Sequence, residues 1–237
     1  MRLILFSLFL VVSLFRIQSE TYVVSVGIAN YEDNRQSLVN SENDAKAISE
    51  FYKQGTDNVT TITGKYATKQ NILKTLKKAF KKADKGDKII FYYSGHGYPG
   101  GLCPFDMHNI VDGLTYTEVL DVMKESKATN KIVFVDACNS GSIRTEELPK
   151  GDVMLFLASR GNEYSIENQY LAHGYFTKNL LRGLKGAADS NKDMKITAKE
   201  LFNYVSENTK IDTHNAQHPV MWGNFSNDMV IVGYKKK

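Results

Sequence analysis

The stretch Lys88-Ile89-Ile90-Phe91-Tyr92-Tyr93-Ser94-Gly95-His96-Gly97 joins an apolar run to a glycine-rich turn that carries a histidine. Further along, Lys131-Ile132-Val133-Phe134-Val135-Asp136-Ala137-Cys138-Asn139-Ser140-Gly141-Ser142 repeats this arrangement with a cysteine. Continuous apolar runs with polar and glycine-rich boundaries are typical of strands buried on both faces of a parallel sheet. Because functional groups gather at the carboxyl ends of such strands, we predict that His96 and Cys138 lie side by side.

The rest of the chain alternates between strand and helix patterns. The other predicted strands are Tyr22 to Ile28, Asn58 to Thr63, Val153 to Ala158 and Met229 to Val232. The predicted helices are Glu42 to Lys53, Thr68 to Ala83, Thr115 to Lys124, Phe176 to Leu184 and Ala198 to Ser206. This alternation predicts an α/β fold with a mainly parallel sheet, covered by helices on both faces and closed by the last strand.

The composition predicts one globular domain without nucleic-acid binding. The chain has 237 residues, of which 42% are hydrophobic and 24% charged, and this is enough for one substantial core. Its formal charge of +4 is mild. The lysines are scattered along helices or gathered in the tail from Lys235 to Lys237, not interleaved with aromatic residues as in a nucleic-acid interface.

The first nineteen residues read as a secretory signal peptide. Residues Leu3 to Phe15 are almost wholly apolar, and Ile17-Gln18-Ser19 ends in a small residue suited to cleavage. The segment is shorter than the roughly 20 apolar residues of a membrane-spanning helix, although an uncleaved anchor is an alternative. We therefore predict a signal peptide over 1–19, a mature domain over 20–237, export to the periplasm, a lumen or the medium, and no stable membrane span after cleavage.

A cysteine beside a histidine is a pattern for nucleophilic catalysis. Because a free thiol has a pKa near 8.5, an adjacent imidazole such as His96 is needed to generate the thiolate of Cys138. The amide groups of Gly97 and Cys138 could then stabilise an oxyanion. The plainer alternative is a buried structural cysteine and a loop histidine. Ser94 is a poorer nucleophile candidate, because a Gly-x-Ser-x-Gly elbow needs glycine where Tyr92 stands.

The remaining cysteine, histidines and tryptophan carry weaker signals. Cys103 is interpreted as a packing residue, and two cysteines predict no disulfide framework. Trp222 either lines the substrate cleft or packs against the last helix. Four histidines are too widely separated to predict a zinc site and are interpreted as structural or surface residues, namely His108, His173, His214 and His218.

The Tyr-Ser-Gly-His-Gly and Asp-Ala-Cys-Asn-Ser-Gly motifs resemble those of the caspase and metacaspase family. Supporting matches run in the same order across Tyr22 to Val232, namely Val26-Gly27-Ile28, Asn43-Asp44-Ala45, Ala67 to Leu73 and His173-Gly174-Tyr175-Phe176-Thr177. The resemblance implies a caspase-like three-layer sandwich with about six strands. It also implies a cysteine endopeptidase in which His96 handles protons, Cys138 attacks the peptide carbonyl, Gly97 donates to the oxyanion, and a peptide or protein is the substrate.

The resemblance further implies an acidic specificity pocket built from Asp44 and Asp136, with Ser94 in a supporting position. Two carboxylates would attract a guanidinium or an ammonium group, so cleavage after Arg or Lys is expected. Animal caspases instead use arginines to bind an Asp side chain, and Arg35 is a weak candidate for that role. An alternative for Asp44 is an acid near a helix N-terminus, stabilised by the helix dipole.

Two other functions stay open. Legumain-type enzymes share a related constellation, and Ser140-Gly141-Ser142 resembles theirs, so asparagine-directed cleavage is the first alternative. Their motif places Glu where Asp136 stands, which favours the metacaspase reading. The second alternative is an inactive caspase-like binding module. The short connection from Ile143 to Asp152 indicates a single-chain protein, with Arg144 and Lys150 as possible autoprocessing sites.

The segment from Asp189 to Glu200 resembles an EF-hand loop. Asp189, Asn191, Asp193 and Glu200 stand at ligand positions one, three, five and twelve, and the carbonyl of Lys195 would be the seventh-position ligand. However, Met194 replaces the usual glycine and Lys192 weakens the negative field. The alternative is a solvated turn in which Thr197 and Glu200 form a capping box. Calcium is thus a possible ligand, while the predicted peptidase chemistry requires no cofactor.

Acidic residues after the histidine loop give only a weak indication of a second calcium site. The resemblance to metacaspases suggests such a site, but only Asp106 and Asp112 are available in that loop.

Overall fold

A computed structural model of the protein describes residues 19–32, 37–142, 153–166 and 170–234. Residues 1–18 of the predicted signal peptide, Arg35, and the connection that carries Arg144 and Lys150 lie outside the described residues. Within these ranges, every helix falls short of the length and hydrophobicity that a membrane span requires.

The centre of the molecule is a six-stranded sheet. Its strands are β1 (Thr21–Gly27), β2 (Val59–Thr63), β3 (Lys88–Ser94), β7 (Asn130–Asp136), β8 (Val153–Leu157) and β10 (Val220–Asn224). Their order across the sheet is β10-β8-β7-β3-β1-β2. All neighbours run parallel except β10, which pairs antiparallel with β8. The predicted, mainly parallel sheet is therefore present, and the predicted apolar runs form its buried strands.

The last predicted strand does not close this sheet. It forms β11 (Val230–Gly233), which pairs with β9 (Lys195–Thr197) in a separate two-stranded sheet. The sheet instead ends at β10, which the sequence analysis missed because its residues are only half-buried or exposed. Within β10, Gly223 has φ +131°, and a Cβ there would lie 1.9 Å from the Val153 carbonyl oxygen. Trp222 packs on the sheet face opposite the last helix, so that neither predicted role applies.

Helices cover both faces of the sheet and create three layers. They are α1 (Ser41–Lys53), α2 (Lys69–Phe80), α3 (Tyr116–Glu125), α4 (Tyr175–Arg182) and α5 (Ala198–Asp212). One core cluster includes α2 and α3 and buries Cys103, as expected for a packing residue. The other includes α1, α4 and α5. In this second cluster, the Phe156 ring contacts Phe176 at 5.1 Å and Phe202 at 5.5 Å, which joins the sheet to the two last helices.

Two local features bring helix N-termini to the carboxyl edge of the sheet. A Cβ at Gly27 would lie 2.3 Å from the Ser41 carbonyl oxygen, so glycine lets the first turn of α1 approach the end of β1. Gly174 is the N-cap of α4, and the Thr177 N–H in the first turn of this helix donates to Asp136 at the end of β7. A small three-stranded sheet of β4 (Gly97–Tyr98), β5 (Gly101–Leu102) and β6 (Leu114–Thr115) follows the histidine turn.

Candidate active site

The histidine and cysteine turns open on one cleft at the carboxyl edge of the sheet. Strands β3 and β7 are paired in register, with Ser94 opposite Asp136 as the last pair. His96 and Cys138 each lie two residues beyond this pair. Both line a cleft of about 810 Å³, together with Asp44, Ser94, Gly97 and Asp136. The structure therefore gathers in one cavity all six residues predicted for catalysis and substrate binding.

Cys138 lies at a sharp turn that presents its sulfur to the cleft. The next residue, Asn139, has φ +53°, a left-handed conformation that asparagine tolerates better than most residues. Its N–H donates to the Glu163 carbonyl at 2.9 Å, which holds the turn in place. The thiol lies 3.8 Å from the Ser165 carbonyl oxygen, within the range of a weak S–H···O hydrogen bond.

The histidine turn is held by two tyrosines. The N–H of His96 donates to the Tyr31 hydroxyl at 2.6 Å, and the two rings lie 5.0 Å apart. The Tyr93 hydroxyl lies 2.9 Å from the His96 carbonyl and 2.6 Å from the Cys103 carbonyl. Burial raises the pKa of Tyr93 well above its ordinary value, so its hydroxyl remains a donor at any physiological pH. The turn is thus fixed through its backbone.

Gly97 is in direct backbone contact with the cysteine turn. A Cβ at this position would lie 2.5 Å from the Cys138 carbonyl oxygen and 3.1 Å from the Ala137 Cβ. A side chain would therefore push the two turns apart. The absence of a side chain keeps the backbones of Gly97 and Cys138 adjacent, as the predicted oxyanion donors require.

Asp136 is a buried carboxylate that faces the N-terminus of α4. Its Oδ2 accepts hydrogen bonds from the N–H of Thr177 at 3.2 Å and from the hydroxyl of Thr177 at 2.6 Å. Its Oδ1 accepts from the hydroxyl of Ser165. Amide donors in the first turn of a helix, and the helix dipole, stabilise a negative charge at this position.

Asp44 lies in the first turn of α1 and is 1% exposed. Its Oδ1 lies 2.8 Å from Nδ1 of His173, and its Oδ2 accepts from the Ser94 hydroxyl at 3.2 Å and the Gly174 N–H at 3.4 Å. Burial raises the pKa of Asp44 to about 7, the charge of Asp136 adds to this rise, and His173 opposes it. Asp44 is thus more than a helix-terminal acid, because its carboxyl group is desolvated beside a second carboxylate.

Gly174 explains how two carboxylates fit against one helix end. A Cβ on Gly174 would lie 2.9 Å from Oδ2 of Asp136 and 3.5 Å from Oδ2 of Asp44. The bare backbone therefore allows both acids to approach the start of α4. The two carboxylates and this helix end form one acidic corner of the cleft, which we call the acidic corner from here on.

Several residues of this corner are not predicted from the sequence. His173, predicted to be a structural or surface residue, contacts Asp44 through Nδ1. The donors Ser165, Gly174 and Thr177 were not predicted as site residues either. A signal was present in His173-Gly174-Tyr175-Phe176-Thr177, a segment that was used only as support for the family resemblance.

The predicted calcium loop does not line the cleft, and its acidic side chains accept hydrogen bonds from the loop itself. Lys192 and Met194 have φ values of +60° and +64°, so this loop makes left-handed turns without glycine. Asp189 accepts the N–H groups of Asp193 and Met194 at 3.2 Å and 3.0 Å. Asn191 accepts the N–H of Asp193 at 2.9 Å. Side-chain oxygens of the predicted ligands are thus hydrogen-bonded within their own loop.

Glu200 forms the predicted capping box with Thr197 and also accepts from the Ser190 hydroxyl at 2.9 Å. Lys195 lies in β9, where it pairs with Gly233. Across residues 19–32, 37–142, 153–166 and 170–234, no group of three or more His, Cys, Asp or Glu side chains is placed to hold a metal ion. Calcium binding by Asp189, Asn191, Asp193, Lys195 and Glu200 stays a prediction.

Comparison with known families decides the class of the protein. The family model of the caspase domain matches residues 21–230. The chain belongs to the caspase domain family. The match covers the histidine turn, the cysteine turn and the acidic corner, and it confirms the resemblance found in the sequence.

Curated relatives include a probable protease and a vacuolar-processing enzyme. A probable protease from a Desulfuromonadales bacterium is 24% identical over 174 residues, which are 60% of this chain and 21% of the relative. The vacuolar-processing enzyme delta-isozyme of Arabidopsis thaliana is 33% identical over 82 residues, which are 34% of this chain and 17% of that enzyme. The matched segments thus make up about a fifth of the length of these relatives.

Solved structures confirm the fold. Caspase-1 from Spodoptera frugiperda superposes with a TM-score of 0.69 at 14% identity, covering 90% of this chain and 88% of that chain. A protein from Geobacter sulfurreducens gives a TM-score of 0.67 at 19% identity, with 86% and 92% covered. The predicted caspase-like three-layer sandwich is therefore confirmed.

Proposed function

We propose that this caspase-domain protein is an exported cysteine endopeptidase, in which His96 and Cys138 form the catalytic dyad and cleavage follows Arg or Lys. The observation that carries this proposal is the shared cleft, in which the ends of β3 and β7 place the dyad beside the acidic corner. One peptide can reach both the nucleophile and the pocket for the residue before the scissile bond only if the two line the same cleft.

In the proposed mechanism, the imidazole of His96 takes the proton of the Cys138 thiol, and the thiolate attacks the peptide carbonyl carbon. The amides of Gly97 and Cys138 donate to the oxyanion that forms. The imidazolium then protonates the leaving amine and a thioester remains. Water, deprotonated by His96, hydrolyses the thioester and restores the thiol.

Ser165 links this chemistry to the pocket. Its carbonyl faces the Cys138 sulfur, and its hydroxyl donates to Asp136 in the acidic corner. Gln217 holds the same segment, because its Oε1 accepts the Ile166 N–H at 2.9 Å and its Nε2 donates to the Ala158 carbonyl at 2.9 Å. A substrate that reaches both the Cys138 sulfur and Asp136 is therefore expected to replace both contacts of Ser165.

Specificity for basic residues follows from the charge of the acidic corner. Asp44 and Asp136 are 1% and 6% exposed, and both line the cleft. A guanidinium or ammonium group that enters the corner would form charge-assisted hydrogen bonds in a water-poor environment, where these bonds are strongest. Ser94 supports the pocket through its hydrogen bond to Asp44.

The arrangement at Glu20 supports export with cleavage after Ser19. The Glu20 N–H donates to Oδ1 of Asp87 at 2.8 Å, and Asp87 is 6% exposed. In a chain that begins at Glu20, this amide becomes an ammonium group that already faces a carboxylate. Intact mass and N-terminal sequencing of protein recovered from an expressing host test this step, since a chain that retains residues 1–19 contradicts it.

The peptidase is tested with matched fluorogenic peptides that end in Arg, Lys, Asn or Asp, with and without calcium. We expect cleavage of the Arg and Lys peptides by the mature protein, loss of all cleavage in Cys138→Ala, and retention in Cys103→Ala, the control for the second cysteine. Thiol labelling gives a second measurement. Rapid alkylation of Cys138 that slows in His96→Ala supports the dyad, whereas an inert thiol and no turnover support the binding module.

Asparagine-directed cleavage is the second candidate function. The observation in its favour is the contact of His173 with Asp44, because a protonated imidazole offsets one negative charge in the acidic corner. A pocket with one donor side and one acceptor side suits an amide. Cleavage of the Asn peptide in preference to the Arg peptide would establish this candidate.

A further inference from the structure

The contact between His173 and Asp44 joins two titratable groups inside the acidic corner. Nδ1 of His173 lies 2.8 Å from Oδ1 of Asp44, and their side chains are 26% and 1% exposed. An imidazole and a carboxyl group at hydrogen-bond distance can share one proton between them. The proton resides either on the imidazole, facing a carboxylate, or on the carboxyl group, facing a neutral imidazole.

Three neighbouring elements contribute groups that act on Asp44. Asp136 faces it from the end of β7 and, in addition to burial, raises its pKa. From β3, the Ser94 hydroxyl donates to it, and Tyr92 lies nearby, where burial and then the charge of Asp44 raise the pKa of Tyr92. The start of α4 supplies the Gly174 N–H. The one acidic neighbour among these groups, Asp136, opposes proton loss from the pair, and a basic ligand would favour it.

Resting on the proposed function, we propose that His173 sets the charge of the specificity pocket by sharing one proton with Asp44. With the shared proton present, the pair is neutral, Asp136 carries the only net charge of the acidic corner, and the corner accepts an amide side chain. Without it, the corner carries two negative charges and selects Arg or Lys. His173 is therefore a specificity-determining residue of the cleft.

Proton balance makes the proposal measurable. Below the pH at which the pair loses its proton, a basic side chain binds and one proton leaves to the solvent. An amide side chain binds without this exchange. The ratio of kcat/KM for Arg over Asn peptides must therefore rise with pH, by at most tenfold per unit, and level off once the pair is deprotonated. Effects of pH on the dyad cancel in this ratio.

The kinetic test compares the wild type with His173→Gln, Asp44→Asn and the double variant His173→Gln/Asp44→Asn. In His173→Gln, one of the two sites that hold the shared proton is lost, so we expect the proton to leave more easily and the midpoint of the ratio to move to lower pH. In the double variant we expect a ratio that does not change with pH. Circular dichroism confirms that each variant is folded, and cleavage of the Asn peptide confirms a working dyad.

The binding test uses benzamidine as the cationic probe and the Cys138→Ala background, which removes the reacting thiol. Calorimetry in buffers of different ionisation enthalpy counts the protons released on binding. We expect close to one proton per benzamidine at pH 6, fewer at pH 9, and none in the background that also carries His173→Gln/Asp44→Asn. Because the variant that also carries His173→Gln/Asp44→Asn still contains His96, it controls for protons that His96 releases.

The outcomes separate this proposal from the one it rests on. Cleavage after Arg or Lys with a ratio and a proton count that His173→Gln leaves unchanged overturns the role of His173 alone. Absence of basic cleavage and of benzamidine binding at every pH overturns both proposals. A midpoint that moves downward in His173→Gln, together with proton release that the double variant abolishes, supports the shared proton.

Discussion

The acidic corner and the loop from Asp189 to Glu200 both gather carboxylates, but they do so in opposite ways. Asp44 and Asp136 are far apart in sequence, buried, and brought together by a sheet edge and two helix ends. Asp189 and Asp193 are neighbours in sequence, half-buried or exposed, and hydrogen-bonded to the backbone of their own loop. Aspartate side chains are therefore desolvated, at a cost in free energy, in the acidic corner, whereas in the loop they are solvated and hydrogen-bonded.

The two regions differ in how much a bound cation would stabilise them. Desolvating two carboxylates side by side is unfavourable, and a fold that retains them gains when a cation enters. An exposed loop whose acids accept hydrogen bonds from its own N–H groups is already satisfied. The sequence pattern predicts a basic side chain as the ligand of the acidic corner and calcium as a possible ligand of the loop, and because of burial we expect the acidic corner to gain more from a bound cation.

The largest difference between the two regions is expected when one carboxylate is removed from each. We expect Asp136→Asn to lower kcat/KM for Arg peptides by about 100-fold, because a buried charge-assisted contact with the substrate is lost. Asp193→Asn, the matched control, should leave it within about twofold. Equal losses in the two variants, measured on protein of equal folded fraction, would contradict the distinction.

Stability against pH probes the same corner without substrate. Because the pKa of Asp44 is raised to about 7, the folded protein binds a proton that the unfolded chain has lost between about pH 4 and 7. The free energy of unfolding should thus gain a decreasing component as pH rises through this window. Asp44→Asn removes that component, on the order of 2 kcal/mol.

Urea unfolding of the wild type and Asp44→Asn at pH 5 and pH 8 measures the effect. Asp121→Asn, on an exposed ion pair with Lys124, serves as the control and should follow the wild type. A parallel pH dependence of the wild type and Asp44→Asn would show that Asp44 ionises in the folded protein as it does in the unfolded chain.

Gly174→Ala tests the close approach of the two acids to α4. The added methyl group would lie 2.9 Å from Oδ2 of Asp136 and must push this carboxylate aside. We expect roughly a tenfold loss in kcat/KM for Arg peptides, since small displacements at a binding group are costly. Gly233→Ala, where a Cβ meets no atom within 4 Å, is the control. Unchanged kinetics in Gly174→Ala would mean that the corner is less tightly built.

The smallest expected effect lies in the loop. Glu200→Gln weakens the capping box with Thr197 and should cost about 1 kcal/mol of stability. Thermal unfolding with calcium and with a chelator sharpens the comparison. A loss of the same size in both conditions fits a structural cap. A stabilisation by calcium that Glu200→Gln abolishes would place a metal site in the loop and break the contrast.

The sequence predicts the parts of this molecule that depend on local pattern. Apolar runs identify β1, β3, β7 and β8, and the glycine-rich turns identify His96 and Cys138. The edge strand β10 escapes prediction because half-buried residues and Gly223 give no clear periodicity. His173 and Ser165 escape because their partners, Asp44 and Asp136, are 129 and 29 residues away in the chain. Only the tertiary fold brings such donors to their acceptors.

Because Ser165 contacts both Asp136 and Cys138, we expect cation binding in the acidic corner and the reactivity of the Cys138 thiol to affect each other. One residue covers Asp136 with its hydroxyl and the Cys138 sulfur with its carbonyl. We expect a small cation that displaces the Ser165 hydroxyl from Asp136 to shift the backbone of Ser165 and so loosen the second contact, and thermodynamic linkage then requires the reverse as well. On this expectation, a free guanidinium compound accelerates alkylation of Cys138 while it competes with basic peptides, and thus activates the nucleophile while it inhibits the proposed peptidase.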